Sequence, residues 1–302
     1  MSDCSTSTES NTTSRVQTKL PKTRKPRKNL LPYFPDFGLF SESTNNLPYQ
    51  NLGNKRKPLP MNIKLLDDLH LEHWRDHDEF ISTVSTDDCD VLILAGDIDA
   101  GWHIGETLDK FCAKFPQVVF LNGNHEYYNI SQEELYANLS AAEKRNKNLH
   151  WLRTDNYTTT IEGKTFHGAT GWFRDDPLNQ IYHRNMSDFH VIPNLKDWVY
   201  DEQKAFQTHL EENLGEGDIV VTHHMPSDLV IHDLFKGSVL NRFFVCDYTE
   251  LIMDRKPALW LFGHTHMPTD IMIGETRTVC NPRSYPGEFE YTPFNPNLVI
   301  EI

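Results

Sequence analysis

The sequence predicts an α/β fold, and three observations carry that reading. From Met61 onward, short apolar runs alternate with segments of helical period. The runs have the length and unbroken hydrophobicity of strands covered on both faces. Most of them are followed at once by residues of metal-binding type. Taken in chain order, NIKLL at 62–66, VLILAG at 91–96 and VVFLNG at 118–123 read as the first strands. Helices are expected between and after them at 76–84, 102–115 and 131–147, the last opened by a Ser131/Glu134 capping box. This is a strand–helix–strand core with right-handed crossovers. A hairpin follows at 158–168 around Glu162-Gly163, then a helix over 197–214 stopped at Gly215. Strands at 218–224 and 259–262, a second hairpin around Gly274 and a last strand at 298–302 complete the expected elements.

Residues 1–60 stand apart. They hold Ser/Thr/Asn-rich and KTRKPRK stretches without any apolar period, which predicts a disordered polar and basic tail, with LLPYFPDFGLF at 30–40 as a short docking segment. The tail carries ten Lys/Arg against four Asp/Glu, and residues 61–302 carry nineteen against thirty-nine. Those 242 residues hold no linker or internal repeat and read as one domain. Its acidity repels polyanions at long range, so nucleic acid is not the favoured partner, although the basic tail could recruit it. Five widely spaced cysteines without CxxC fit a reducing compartment, and no apolar stretch reaches the roughly 18 to 20 residues of a membrane span. A soluble cytoplasmic protein is expected. Nothing in the sequence names a protein partner.

The strand ends carry the chemistry. The first run leads into Asp67, Asp68 and His70, the second into Gly96 and Asp97, and the third into Asn124, His125 and Glu126. The fourth leads into His223 and His224, the fifth into Gly263, His264 and His266. Ligand sites in open α/β sheets lie beyond the carboxyl ends of the strands, so one chain direction gathers all five clusters on one rim. If the chain stays extended, Asp68 and His70, and likewise His264 and His266, share a face. Nitrogen and oxygen ligands without thiolate suit Mn²⁺, Fe or Zn²⁺, and seven protein ligands exceed what one ion takes. Two divalent or trivalent ions sharing Asp97 match the count. Such pairs, roughly 3.5 to 4 Å apart, clamp a phosphoryl group and acidify a water for in-line attack.

In these blocks, DLH at 68–70, GD at 96–97, GNHE at 123–126, THH at 222–224 and GHTH at 263–266, the chain resembles the calcineurin-like metallophosphoesterases. All five blocks occur in the family's order. The resemblance implies a four-layer α/β/β/α sandwich with two central mixed β-sheets. It implies one ion on Asp68, His70, Asp97 and His266, a second on Asp97, Asn124, His223 and His264, and His125 as the catalytic group over the substrate. The activity implied is hydrolysis of a phosphomonoester or phosphodiester by metal-activated hydroxide, with a small phosphoester as substrate. A nuclease of the same fold is the alternative, and a scaffold that has lost the chemistry is a more distant one. Asp67 departs from the family, where serine often precedes the DxH aspartate; it reads as a hydrogen-bonded carboxylate or as extra charge that tightens metal binding.

Several positions stay open at this level. His223 and His224 both end a strand and face opposite ways, so either could be the ligand; the family pattern favours His223 and leaves His224 beside the metal or substrate. His103 and Arg174 are candidate substrate contacts, set against loop structure and pairing with surplus carboxylates. Arg283 has the same two readings. His73 and His77 read as surface, and Trp151, Trp172, Trp198 and Trp260 as core. The segment 172–183 is the expected loop over the cleft.

Overall fold

The computed structural model describes residues 60–75, 77–288 and 294–302. Except for Pro60, the expected N-terminal tail and its docking segment lie outside the described residues. The first half contains β1 (Asn62–Leu66), α1 (His77–Thr83), β2 (Val91–Ala95), α2 (Ile104–Lys114), β3 (Val118–Leu121), α3 (Gln132–Arg145) and β4 (Leu149–Trp151). The hairpin β5 (Thr158–Ile161) and β6 (Lys164–Ala169) follows, then α4 (Asn179–Tyr182), α5 (Asp188–Val191) and α6 (Leu195–Asn213). The chain closes with β7 (Ile219–Thr222), α7 (Thr249–Arg255), β8 (Leu259–Leu261), β9 (Thr269–Ile273), β10 (Thr276–Cys280) and β11 (Val299–Glu301).

The strands form two mixed sheets, ordered β11-β1-β2-β3-β4 and β5-β6-β7-β8-β10-β9. β1 to β4 are parallel and β11 pairs antiparallel with β1. In the second sheet β6, β7, β8 and β10 are parallel, with β5 and β9 antiparallel at its edges.

Alternation along the strands explains the stacking. Val91, Ile93 and Ala95 of β2 share one buried cluster with Phe166, Val221 and Leu261 of the other sheet. Leu92 and Leu94, pointing the other way, meet Leu108 and Phe111 of α2 and Leu135 and Leu139 of α3. On the far side, Val220 and Trp260 pack against Phe206 and Leu210 of α6 and Ile252 of α7. The central strands therefore have apolar residues for both neighbouring layers, and the result is the four-layer α/β/β/α sandwich. Fully burying one such Phe or Leu contributes about 1.5 to 3 kcal/mol.

The capping box forms as read: Ser131 Oγ accepts from Glu134 N at 3.2 Å, and Glu134 Oε2 accepts from Ser131 N at 3.3 Å. The helix expected from 197 begins at Leu195 and ends at Asn213, with Leu214 as its cap. β4 has only three residues, LHW, too few to show a period; its pairing with β3 decides it. Trp151, Trp172 and Trp260 are buried in the core.

Candidate metal centre

Backbone hydrogen bonds and side-chain locks draw the five strand ends together. His223 Nδ1 donates to Ala95 O at 3.0 Å, joining the end of β7 to that of β2. His264 N donates to Asp68 Oδ2 at 2.8 Å, joining β8 to β1, and His125 N donates to Asp97 Oδ1 at 2.8 Å. The chain does not stay extended there. Asp68, His70, Asp97, His264 and His266 have φ of 47°, 44°, 53°, 68° and 53°, the left-handed region that non-glycine residues enter at a cost and mostly at functional sites. These turns, rather than a shared strand face, aim the side chains, and they send His264 and His266 to different groups. Gly96, at φ 86°, is required: a Cβ there would lie 2.6 Å from Gly123 N and 2.7 Å from His223 Nδ1.

Two adjoining groups result, one of Asp68, His70 and His266, the other of Asp97, His223 and His264. Each could hold a metal ion, and the donor chemistry fits one. His70 Nδ1 donates to Glu72 Oε1 at 3.2 Å and His266 Nδ1 to Glu288 Oε2 at 2.7 Å, so each ring turns its Nε2 inward, and those two atoms are 3.0 Å apart. Two imidazole nitrogens that close must share a cation, and a metal ion can take the place of the proton that His266 otherwise carries. In the second group His223 Nε2 stands 3.0 Å from Asn124 Oδ1 and 3.3 Å from Asp97 Oδ2. The Asn124 amide is fixed by its Nδ2, which donates to Asp188 Oδ1 at 3.0 Å and to Tyr128 OH at 3.2 Å. Asp68 Oδ1 and His264 Nε2 are buried with no hydrogen-bond partner. Such uncompensated acceptors are costly unless a cation satisfies them.

Charge is distributed accordingly. Burial opposes ionisation of Asp97, but His223 and His125 hold its carboxyl well below the usual range. Against the same penalty, Asp68 holds His266 up to about 10 and Asp97 holds His223 up to about 9. Burial pushes His264 well down and His224 down to about 3, leaving both neutral.

His125 lines the cavity with both ring nitrogens engaged. Its Nδ1 donates to Glu72 Oε1 at 3.1 Å, Tyr285 OH lies 2.8 Å from its Nε2, and its ring stacks on Tyr128 at 4.1 Å. One oxygen of Glu72 therefore orients both His70 and His125. Burial opposes its charge, but these hydrogen bonds bring its carboxyl down to about 2. Glu126 clamps the loops: Oε2 accepts from Asp97 N at 3.0 Å and Gly123 N at 2.6 Å, Oε1 from Ile98 N at 2.7 Å. Glu72, Tyr285 and Glu288 escaped the sequence reading. The one signal for Glu72 was its place two residues after His70, in DLHLE.

Other candidates fall as follows. His224 Nδ1 donates to Thr170 O at 3.2 Å, and its Nε2 is buried without a partner, its ring 4.3 Å from that of His264. His103 is exposed just before α2 and away from the cavity. Arg174 donates to Asp247 O at 2.6 Å and faces a neighbouring cavity. Arg283 lies between Trp74 and Phe80, 3.7 and 3.9 Å from their ring centres. Asp67 is a hydrogen-bonded carboxylate, accepting from Asn281 N at 2.9 Å. The cavity beside the metal-binding groups is walled by residues 185–188 and 231–244 rather than by 172–183, whose Arg174, Asp176 and Asn179 line the neighbour.

Over 275 residues the chain is 24% identical to the uncharacterized protein L509 of Acanthamoeba polyphaga mimivirus, covering 80% of this chain and 96% of that one. The fold is similar to that of the phosphopantetheinyl hydrolase PptH from Mycobacterium tuberculosis, at a TM-score of 0.63 and 15% identity, covering 82% of this chain and 97% of that one. A dimetal phosphatase from Danio rerio matches at a TM-score of 0.44 and 13% identity, covering 74% and 87%. Residues 61–268 match the family model for calcineurin-like phosphoesterases, and they include every strand end that meets in the two metal-binding groups. The chain belongs to the calcineurin-like phosphoesterase family, hydrolases of phosphoric ester bonds.

Proposed function

We propose that this chain hydrolyses a phosphomonoester or phosphodiester at a two-metal centre in which Asp68, His70, Asp97 and His266 hold one ion and Asp97, Asn124, His223 and His264 the other. The observation that carries the reading is the convergence of ligand-type atoms from separate strand ends, His70 Nε2 on His266 Nε2 and His223 Nε2 on Asn124 Oδ1, each pair at 3.0 Å. When bound, two such cations supply Lewis-acid stabilisation of the phosphoryl oxygens and acidify water. Mn, Fe and Zn all suit the nitrogen and oxygen donors.

The remaining work falls to this chain's residues. Asp97 aligns the two groups and is itself fixed by the Glu126 clamp. His125, held by Glu72 at Nδ1 and by the Tyr285 hydroxyl at Nε2, lines the cavity to stabilise the phosphoryl group or pass a proton to the leaving oxygen. His224, neutral and buried beside His264, orients that ring rather than binding metal. Residues 61–302 act as one domain. Four free, buried cysteines support work in the reducing cytoplasm, and among the described residues no helix is long and apolar enough to cross a membrane. The test is turnover of bis(p-nitrophenyl) phosphate with Mn²⁺ added: hydrolysis that a chelator abolishes and Mn²⁺ restores is expected, and full activity in chelator would overturn the proposal.

A further inference from the structure

The cavity in front of the metal-binding groups has a volume of about 440 Å³, within the range of small-molecule sites. Its two sides differ in chemistry. One side presents Asp97, Asn124, His125, His264 and His266; the other is formed by Met186, Met225, Ile231, Phe235, Leu240 and Phe244. Between them lie neutral polar groups, Asn185, Ser187, Ser238 and Asn241. The apolar wall is held in place: Met225 N donates to Phe244 O and Cys246 N to Met225 O, both at 3.0 Å, and the Phe244 ring stacks on His264 at 4.5 Å.

Among the described residues, no arginine or lysine lines this cavity. Lys236, Arg242 and Arg174 line the adjoining cavity and are engaged there, Lys236 with Asp233, Arg242 with Asp176 and Arg174 with Asp247 O. The carboxylates that do line the site beyond Asp97 are Asp188, which accepts from Tyr128 and Asn124, and Glu288, paired with His266. A second anionic group on the substrate's arm would thus meet apolar side chains or like charge, with no arginine or lysine to offset its desolvation.

We infer that the substrate is a phosphoester with one phosphoryl group and an uncharged, largely apolar arm, aliphatic or aromatic, seated against Met186, Ile231, Leu240 and Phe244. Neutral hydroxyl or amide groups on that arm find partners in Asn185, Ser187 and Asn241. The inference rests on the phosphoesterase reading, and it makes nucleoside polyphosphates and nucleic-acid chains poor substrates.

Three p-nitrophenyl phosphodiesters that differ only in the second ester group, methyl, hexyl and 5-carboxypentyl, test it in Mn²⁺-loaded protein. A buried methylene is worth roughly fourfold in affinity, so kcat/KM for the hexyl ester should exceed that for the methyl ester by at least about tenfold, with the carboxypentyl ester no better than methyl. Leu240→Lys should reverse the order of the hexyl and carboxypentyl esters, a ratio read within one preparation and so independent of its folded fraction. In chelated protein, N-hexylacetamide should shift the methyl resonances of Met186 and Met225 and hexanoate should not. Equal rates for methyl and hexyl, or a preference for the carboxylate, overturn the inference and leave the phosphoesterase reading standing. No hydrolysis of any of the three with Mn²⁺, Zn²⁺ or Fe²⁺ overturns both.

Discussion

His70 and His266, 196 positions apart in the chain, face each other through their Nε2 atoms at 3.0 Å, each with its Nδ1 tied to a carboxylate behind it, Glu72 and Glu288. The protein thus holds together two ring nitrogens that must share a cation, and a metal ion can take the place of the proton His266 otherwise carries. Metal binding should therefore stabilise the fold, by about 2.7 kcal/mol at a free ion concentration one hundred times the dissociation constant. Thermal melting with and without Mn²⁺ reads this as a rise in Tm, and His266→Ala should lose most of the rise. A Tm indifferent to Mn²⁺, Zn²⁺ and Fe²⁺ would contradict the cation assignment.

Asn124 and His264 give the sharpest mutational contrast. Changing an outer-shell partner of a metal ligand costs about 10- to 100-fold, so direct donors should cost more. Asn124→Ala and His264→Ala are each expected to lower kcat/KM by more than about a hundredfold and to reduce bound metal, as measured by elemental analysis of the dialysed protein.

His125 should separate chemistry from metal binding. It lines the cavity, with Glu72 on its Nδ1 and the Tyr285 hydroxyl on its Nε2. His125→Ala is expected to lower kcat by about 10²- to 10⁴-fold, with metal stoichiometry retained. Loss of metal along with activity would make it a ligand instead.

Glu72→Gln keeps the shape of the side chain but removes the charge that orients two imidazoles with one oxygen. The expected effect is about 10- to 100-fold in kcat/KM. The reduction should fall on kcat more than on KM, since Glu72 lies behind the reacting groups and does not line the cavity. A change confined to KM would speak against it.

The cysteines provide a check on the core that does not involve activity. Burial pushes the Cys89 thiol up to about 11 and the Cys112 thiol up to about 12, and raises Cys246 and Cys280 as well. A raised thiol pKa means the neutral, unreactive form persists at pH 8. In a Cys4→Ser chain, Ellman's reagent at pH 8 should find almost no fast thiol in the native protein and all four after denaturation.

Most of the fold and much of the site were legible in the sequence because both are written in local patterns. A buried strand announces itself as an apolar run, and β1 has the expected bounds. The candidate ligands follow those runs directly, so Asp68, His70, Asp97, Asn124, His264 and His266 could be named from the strand ends alone. Elements without a period escaped: the three residues of β4, and the short turns from 228 to 243 that wall the cavity.

The sequence by itself determined an α/β chain with residues of metal-ligand type at its strand ends, because strand hydrophobicity and ligand type are properties of single residues and their neighbours. The tertiary structure decided how those residues are used. His223 rather than its neighbour turns to Asp97 because its Nδ1 is captured by Ala95 O, 128 residues away. His264 and His266 part because left-handed turns replace the extended chain that would have kept them on one face. Glu72 gains its place by meeting His125 across 53 residues, and the apolar wall exists because Met225 pairs with Val245 beside the site. Each of these is a contact between segments distant in sequence, set by how the two sheets stack, which local patterns do not encode.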